Sequence, residues 1–202
     1  MEQALIIFVK NPVLGKVKTR LAATIGDQEA LRVYEALLAH TQEEVNRLKN
    51  TTVFVFYSDQ FENDNWNRTY FKMNQEGIDL GERMNHAFDT ILTRKYAKTV
   101  IIGSDCYDLN AEIIQDGFDA LNDYDSVVGP SEDGGYYLLG LKESTPSIFK
   151  NITWSTDTVL KETETKLQAL NKTYTLLPTL NDIDTEEDLK NTKLYGNLYS
   201  NH

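Results

Sequence analysis

Ala4-Leu5-Ile6-Ile7-Phe8-Val9 runs directly into Lys10-Asn11-Pro12-Val13-Leu14-Gly15-Lys16-Val17-Lys18-Thr19-Arg20-Leu21. Six consecutive apolar residues with no polar alternation read as a buried strand. The loop behind it carries four cations in eleven residues: Lys10, Lys16, Lys18 and Arg20. The rest of the chain is acidic. It has 20 Lys and Arg against 31 Asp and Glu, a formal net charge of -11, so a basic cluster at one strand end stands out against the background. In an open α/β sheet, ligands bind outside the carboxyl ends of the strands. Cations beside backbone N–H groups suit phosphate there. The plainer alternative is a solvated basic loop.

Outward from this passage, apolar runs alternate with helical patterns. Further strands are expected at 52–57, 70–73, 99–102, 126–128, 135–141 and 173–177. Helices are expected at about 27–49, 82–95, 110–122, 156–170 and 185–194, with 60–70 a loop or short helix. Alternation of this kind implies a mostly parallel sheet covered by helices on both faces, a three-layer α/β/α sandwich. No repeat or low-complexity linker interrupts it, so residues 1–202 are expected to form one domain.

The composition narrows the function. No apolar run reaches the roughly 18 residues of a membrane span. No secretory pattern opens the chain, and the one cysteine, Cys106, excludes an internal disulfide, so the cytoplasm is the expected location. Strong negative charge argues against non-specific nucleic-acid binding. Aromatics near Trp66, Tyr70 and Phe71 offer an expected interface, although oligomeric state is not legible.

Three more segments carry chemistry. Gly103-Ser104-Asp105-Cys106-Tyr107-Asp108 follows a buried strand. Asp105 is placed to hold a hard divalent cation, since Mg²⁺ takes one or two carboxylates plus phosphate oxygens and water. Asp108 is expected to cap the next helix. Cys106 has no activating neighbour in sequence. Gly129-Pro130-Ser131-Glu132-Asp133-Gly134-Gly135-Tyr136 pairs two glycines that let a substrate approach the backbone, or else form a hairpin turn. Asn181-Asp182-Ile183-Asp184-Thr185-Glu186-Glu187-Asp188 reads as a capping box, with Asp182 and Asp184 able to reach a metal from a second arm. The Walker and dinucleotide-binding glycine patterns are absent, and no histidine spacing suggests zinc.

The ordered motifs F-x-K-x-P-x-x-G-x-x-K-T-R-L, Gly77-Ile78-Asp79-Leu80-Gly81-Glu82-Arg83-Met84, G-x-D-C-x-x-L and D-G-G-Y-Y-L resemble the bacterial DUF2064 family. That family is similar to the nucleotide-diphospho-sugar transferase superfamily with the GT-A fold. It also resembles 2-phospho-lactate guanylyltransferases and molybdenum-cofactor nucleotidyltransferases. This chain has Tyr107 where the family has proline. The resemblance implies a nucleotide or nucleotide-sugar donor over Lys10, Gly15, Lys16, Lys18 and Arg20, with Glu82 and Arg83 near base or ribose. It implies Mg²⁺ or Mn²⁺ near Asp105; Asp184 is the candidate second metal arm, and Asp133 with Gly134, Gly135 and Tyr136 the candidate contacts of a small-molecule acceptor. Asp105 and Asp133 are the candidate catalytic residues. The reading that follows is a metal-dependent glycosyl transferase. A nucleotidyltransferase using a triphosphate and a non-catalytic nucleotide-binding protein are the alternatives.

Overall fold

Seven strands lie in one sheet in the order β3-β2-β1-β4-β6-β5-β7. They are β1 (Gln3–Val9), β2 (Thr51–Tyr57), β3 (Phe71–Asn74), β4 (Lys98–Ile102), β5 (Ser126–Pro130), β6 (Tyr136–Leu141) and β7 (Tyr174–Leu176). The computed structural model describes residues 2–60 and 66–199. Of the stretch 60–70, the segment 61–65 lies outside them, as does His202; residues 66–70 form turns.

The alternation of side chains along each strand sorts the core into two layers. Leu5, Ile7 and Val9 of β1 share one cluster with Val53, Val55, Val100, Ile102, Ile114 and Phe118. Ala4 and Ile6 face the other way, with Phe54, Phe56, Ile101, Met84, Phe88 and Leu167. The first layer is covered by α2 (Asp27–Asn46) and α4 (Ala111–Ala120), the second by α3 (Leu80–Leu92) and α5 (Val159–Ala169). A strand so covered has both faces dry, which is why β1 is apolar without alternation.

Strands β1, β2, β3 and β4 pair in parallel, and β5 pairs in parallel with β7. β6 runs antiparallel to both β4 and β5. The carboxyl ends of the six co-directional strands and the start of β6 therefore share one edge of the sheet. The chain leaves β1 towards β2 on one side and meets β4 on the other, so the crevice between these diverging connections opens at β1 and β4.

Several boundaries differ from the sequence reading. A short helix, α1 (Thr19–Ile25), precedes α2, and a 3₁₀ turn occupies Pro146–Phe149. The helix expected from 82 begins at Leu80, because the Asp79 side chain accepts a hydrogen bond from Glu82 N. Gly81 is thus inside that helix, where a Cβ would lie 2.5 Å from Trp154 Nε1. Asn110, not Asp108, caps α4: its side chain accepts from Ile113 N at 3.0 Å. The helix expected over 185–194 divides into α6 (Glu186–Lys190) and α7 (Lys193–Tyr199), where the Thr192 hydroxyl donates back to Leu189 O. Trp66 is buried in the first core layer, so only Phe71 of the expected aromatic patch stands out as exposed. No helix among the described residues is long and apolar enough to cross a membrane.

Candidate functional site

The loop after β1 is clamped at its root. Lys10 N donates to the Tyr34 hydroxyl of α2 at 2.9 Å, and that hydroxyl donates to Lys10 O at 3.1 Å. The loop then closes a tight turn in which Lys16 N donates to Val13 O at 3.0 Å, with Gly15 at φ +72. Val17 is buried and anchors the loop, while Lys10, Lys16 and Arg20 stay exposed around it. Lys18 adopts the left-handed conformation (φ 48, ψ 45) and opens α1 without a side-chain cap. Among the described residues no side chain caps α1, and its first turn and the positive end of its dipole lie beside Thr19 and Arg20, which line a cavity.

The opposite wall is acidic and pinned from behind. Asp105 O accepts from Ile183 N at 2.9 Å. Ile183 is fully buried with Leu21, Leu189 and Leu194. In an extended segment, neighbours two apart share a face, so Asp182 and Asp184 both turn to the cavity that Ile183 turns away from. The capping box holds this arm: the Asp188 carboxylate accepts from Thr185 N at 2.7 Å and from Asp184 N at 3.1 Å. Asp133 belongs to the β5–β6 turn, where its Oδ1 accepts from the Ser131 hydroxyl and, at 2.9 Å, from Gly135 N. Hairpin turn and cavity wall are thus the same structure. Gly134 sits at φ +85 with the backbone of Asp157 against it, leaving no room for a side chain.

Lys18 crosses between the walls. Its Nζ lies 2.8 Å from Asp105 Oδ1 and 3.2 Å from Asp184 Oδ1, and its side chain is only 4% exposed. Arg20 Nη1 is 3.6 Å from Asp184 Oδ2 with the rest of its side chain in solvent. Burial lowers the Lys18 pKa, but Asp105 and Asp184 more than offset it, so the ammonium stays charged. Asp182 behaves oppositely. Burial first, and the Asp105 charge second, push its carboxyl up to about 7. Tyr34 is pushed up to about 12, by burial and then by Asp105.

Together these walls enclose a cavity of about 630 Å³, within the range of small-molecule sites. Lys10, Lys16, Lys18, Arg20, Arg83, Asp105, Asp133, Gly135, Tyr136 and Asp184 all line it. Gly15, Glu82 and Gly134 do not, and their roles are local. Gly15 shapes the turn, and Glu82 accepts from Ile78 N at 3.0 Å. Arg83 Nε donates to Gly77 O at 3.1 Å, and among the described residues Arg83, Lys10 and Lys16 have no ion-pair partner. Sequence reasoning missed Tyr34 and Trp154, which also line the cavity, because nothing in their spacing sets them apart from core aromatics. Cys106 is buried and its thiol is pushed up to about 12 by burial and by Asp182, so it stays protonated. Tyr107 packs its ring on His40 at 4.4 Å and accepts from Asn197 at 3.0 Å, on the far side of the Asp105 loop from the cavity.

Among the described residues no group of three or more His, Cys, Asp or Glu side chains is assembled to hold a metal. The pair expected to do so, Asp105 and Asp184, is bridged by an ammonium instead. The donor set nonetheless suits a hard cation: two carboxylate oxygens already grip one positive charge between them, and Mg²⁺ asks no more of a protein than that.

The model of the family described as an uncharacterized protein conserved in bacteria, DUF2064, matches residues 39–156. The chain belongs to the DUF2064 family. The matched span contains Asp105, Asp133 and Trp154; the basic loop and the Asp182–Asp184 arm lie outside it. A Desulfovibrio desulfuricans protein, provisionally named a nucleotide-diphospho-sugar transferase, is 30% identical and matches 100% of this DUF2064 chain and 96% of its own, with a TM-score of 0.87. CMP:2-keto-3-deoxy-manno-octonic acid synthetase, solved with CTP, is 8% identical, with 100% of both chains covered and a TM-score of 0.60. A Mycobacterium tuberculosis protein solved with manganese is 11% identical over 96% of this chain and 98% of its own, with a TM-score of 0.54. At these identities the last two share the fold. No curated protein matches the chain.

Proposed function

We propose that this protein is a transferase that binds a nucleotide-activated donor in the cavity at the carboxyl edge of β1 and β4, and moves a glycosyl group to a small acceptor. The observation that carries the reading is the convergence of cations from residues 10–20 with carboxylates from residues 105, 133 and 182–184 on a single cavity. Lys10, Lys16, Arg20 and the first turn of α1 bind and orient the donor phosphates. Arginine grips phosphate through two parallel N–H groups and lysine acts as a point charge. Arg83, anchored by Gly77 O, directs its remaining N–H groups to the nucleoside side. Asp105 and Asp184 are the residues that would hold Mg²⁺ or Mn²⁺. Such an ion supplies neutralisation of the charge that develops on the departing diphosphate. Asp133 faces the acceptor; its fixed Oδ1 sets the carboxylate's direction. The two walls shield this exchange from bulk water on the sheet side, where charge interactions are stronger than in solution.

The relative named for nucleotide-diphospho-sugar transfer, 30% identical over the full chain, supports this reading. A second reading is favoured by the density of cations on one wall, which suits a triphosphate: nucleotidyl transfer onto a phosphorylated acceptor, with release of pyrophosphate. Calorimetric titration with UDP-glucose, GDP-mannose, GTP and CTP, each with and without Mg²⁺ or Mn²⁺, separates the two. Metal-dependent preference for a sugar nucleotide supports glycosyl transfer, and preference for a triphosphate supports nucleotidyl transfer. Binding of none of the four overturns both.

A further inference from the structure

We infer that Lys18 is a placeholder cation. Its ammonium fills the position between Asp105 and Asp184 in the empty protein, and a divalent ion entering there displaces it towards the anionic donor. This rests on the reading of Asp105 and Asp184 as the metal arm, and adds how that arm is kept before the metal arrives.

Three observations carry it. First, of the lysines around the cavity, Lys10 and Lys16 are exposed while Lys18 is 4% exposed and bound to Asp105 and Asp184. Second, it uses the same oxygens a metal would need, Asp105 Oδ1 at 2.8 Å and Asp184 Oδ1 at 3.2 Å. An Mg²⁺ ion sits about 2.0–2.1 Å from its ligands, so ion and ammonium cannot share that pair of oxygens without two positive charges in close contact. Third, Lys18 stands at the start of α1 beside Thr19 and Arg20, which line the cavity. Its four-carbon stem is flexible, so a displaced ammonium stays among the groups assigned to the donor phosphates.

The consequence is a coupling between metal and donor. Metal alone must evict a well-paired ammonium from a buried site, whereas metal arriving with a phosphate-bearing donor gives that ammonium a new partner. Each ligand then raises the affinity for the other by the same factor. The same pairing keeps the buried Lys18 ammonium compensated when no metal is bound.

The test uses the whole chain and Mn²⁺ as probe. Electron paramagnetic resonance of free Mn²⁺ measures binding without nucleotide in the wild type and in Lys18→Met. The variant should bind Mn²⁺ roughly tenfold more tightly or better, because the resident competitor is gone from between the two carboxylates and only the solvent-exposed Arg20 still pairs with Asp184. The thermal midpoint of the variant should also rise more on adding Mn²⁺ than that of the wild type. Equal or weaker Mn²⁺ binding by the variant, including no binding by either protein, overturns the inference. A second arm needs no variant and so does not depend on its folding. Acetylation of Lys18 by acetic anhydride, read by peptide mass spectrometry against Lys161, should accelerate several-fold at saturating Mn²⁺; an unchanged ratio overturns the inference. Failure of the donor reading looks different: none of the nucleotides binds, while the Mn²⁺ results stand by themselves.

Discussion

The two walls of the cavity are built by opposite strategies. On the wall after β1, Lys10, Lys16 and Arg20 are exposed, on a loop held at its root by Tyr34 and anchored at Val17. On the wall formed by Asp105, Asp182 and Asp184, the carboxylates are positioned by main-chain bonds and a buried isoleucine between them. Exposed charges cost little while empty, so they can wait for a ligand. Asp105 and Asp184 are partly exposed and compensate the buried Lys18 ammonium. Asp182, whose carboxyl burial and the Asp105 charge push up to about 7, is compensated by a bound proton. The basic wall is therefore left open to solvent, whereas the acidic wall is compensated from within the fold.

Replacing one charge on the rigid wall is expected to have the largest effect. Asp105→Asn removes one anchor of Lys18 and one carboxylate of the metal arm. Metal-dependent nucleotide binding, measured by calorimetry, should weaken by about two orders of magnitude, the upper end of the about 1.5–3 kcal/mol that a contact to a charged group contributes. The far-ultraviolet circular dichroism should stay that of the wild type. An unchanged affinity would remove Asp105 from the site.

The exposed wall should yield in smaller, separable steps. Lys16→Ala and Arg20→Ala each remove a charge-assisted contact worth about 1.5–3 kcal/mol, so each should weaken nucleotide binding about tenfold or somewhat more. The loss should shrink at high salt, which screens exposed charges, and neither variant should change thermal stability by more than about 0.5 kcal/mol. A large loss of stability from either would erase the contrast between the walls.

The proton on Asp182 gives the rigid wall a pH signature. Its carboxyl titrates near 3.8 in the unfolded chain and at about 7 in the folded one, so between those values the folded state holds the extra proton. Stability contributed by this group therefore falls as pH rises from about 4 to about 7 and is flat above. Asp182→Asn should raise the thermal midpoint at pH 8, on the order of a few kcal/mol in stability, and should lose that advantage below pH 4. Equal gains at both pH values would assign the effect to something other than ionisation.

Behind the rigid wall the expected effect is smallest. Tyr107→Phe deletes the hydrogen bond from Asn197 and keeps the ring on His40, so it should cost about 1 kcal/mol of stability and leave nucleotide affinity unchanged. A change in affinity would mean that this position reaches the Asp105 side chain after all.

Local rules carried the reading of the chain a long way. Apolar runs of six or so residues located the strands, 3.6-residue periodicity located the long helices, and Thr185 with Asp188 announced a capping box that the fold contains. The clustered cations marked one wall of the cavity because they break the acidic background, and the glycine pair marked the turn. These signals act over a few residues, so they survive without knowledge of the sheet order. What they could not supply depends on contacts between distant segments. Lys18 reads as one more phosphate ligand until β1, β4 and the C-terminal arm are brought together; then it pairs with Asp184, 166 residues away. The choice of Asn110 over Asp108 as cap, the burial of Trp66, the reversal of β6 and the proton on Asp182 are of the same kind. Composition and period describe each segment's own preference, but a charge's partner and its exposure to water are set by whichever segments the sheet places beside it.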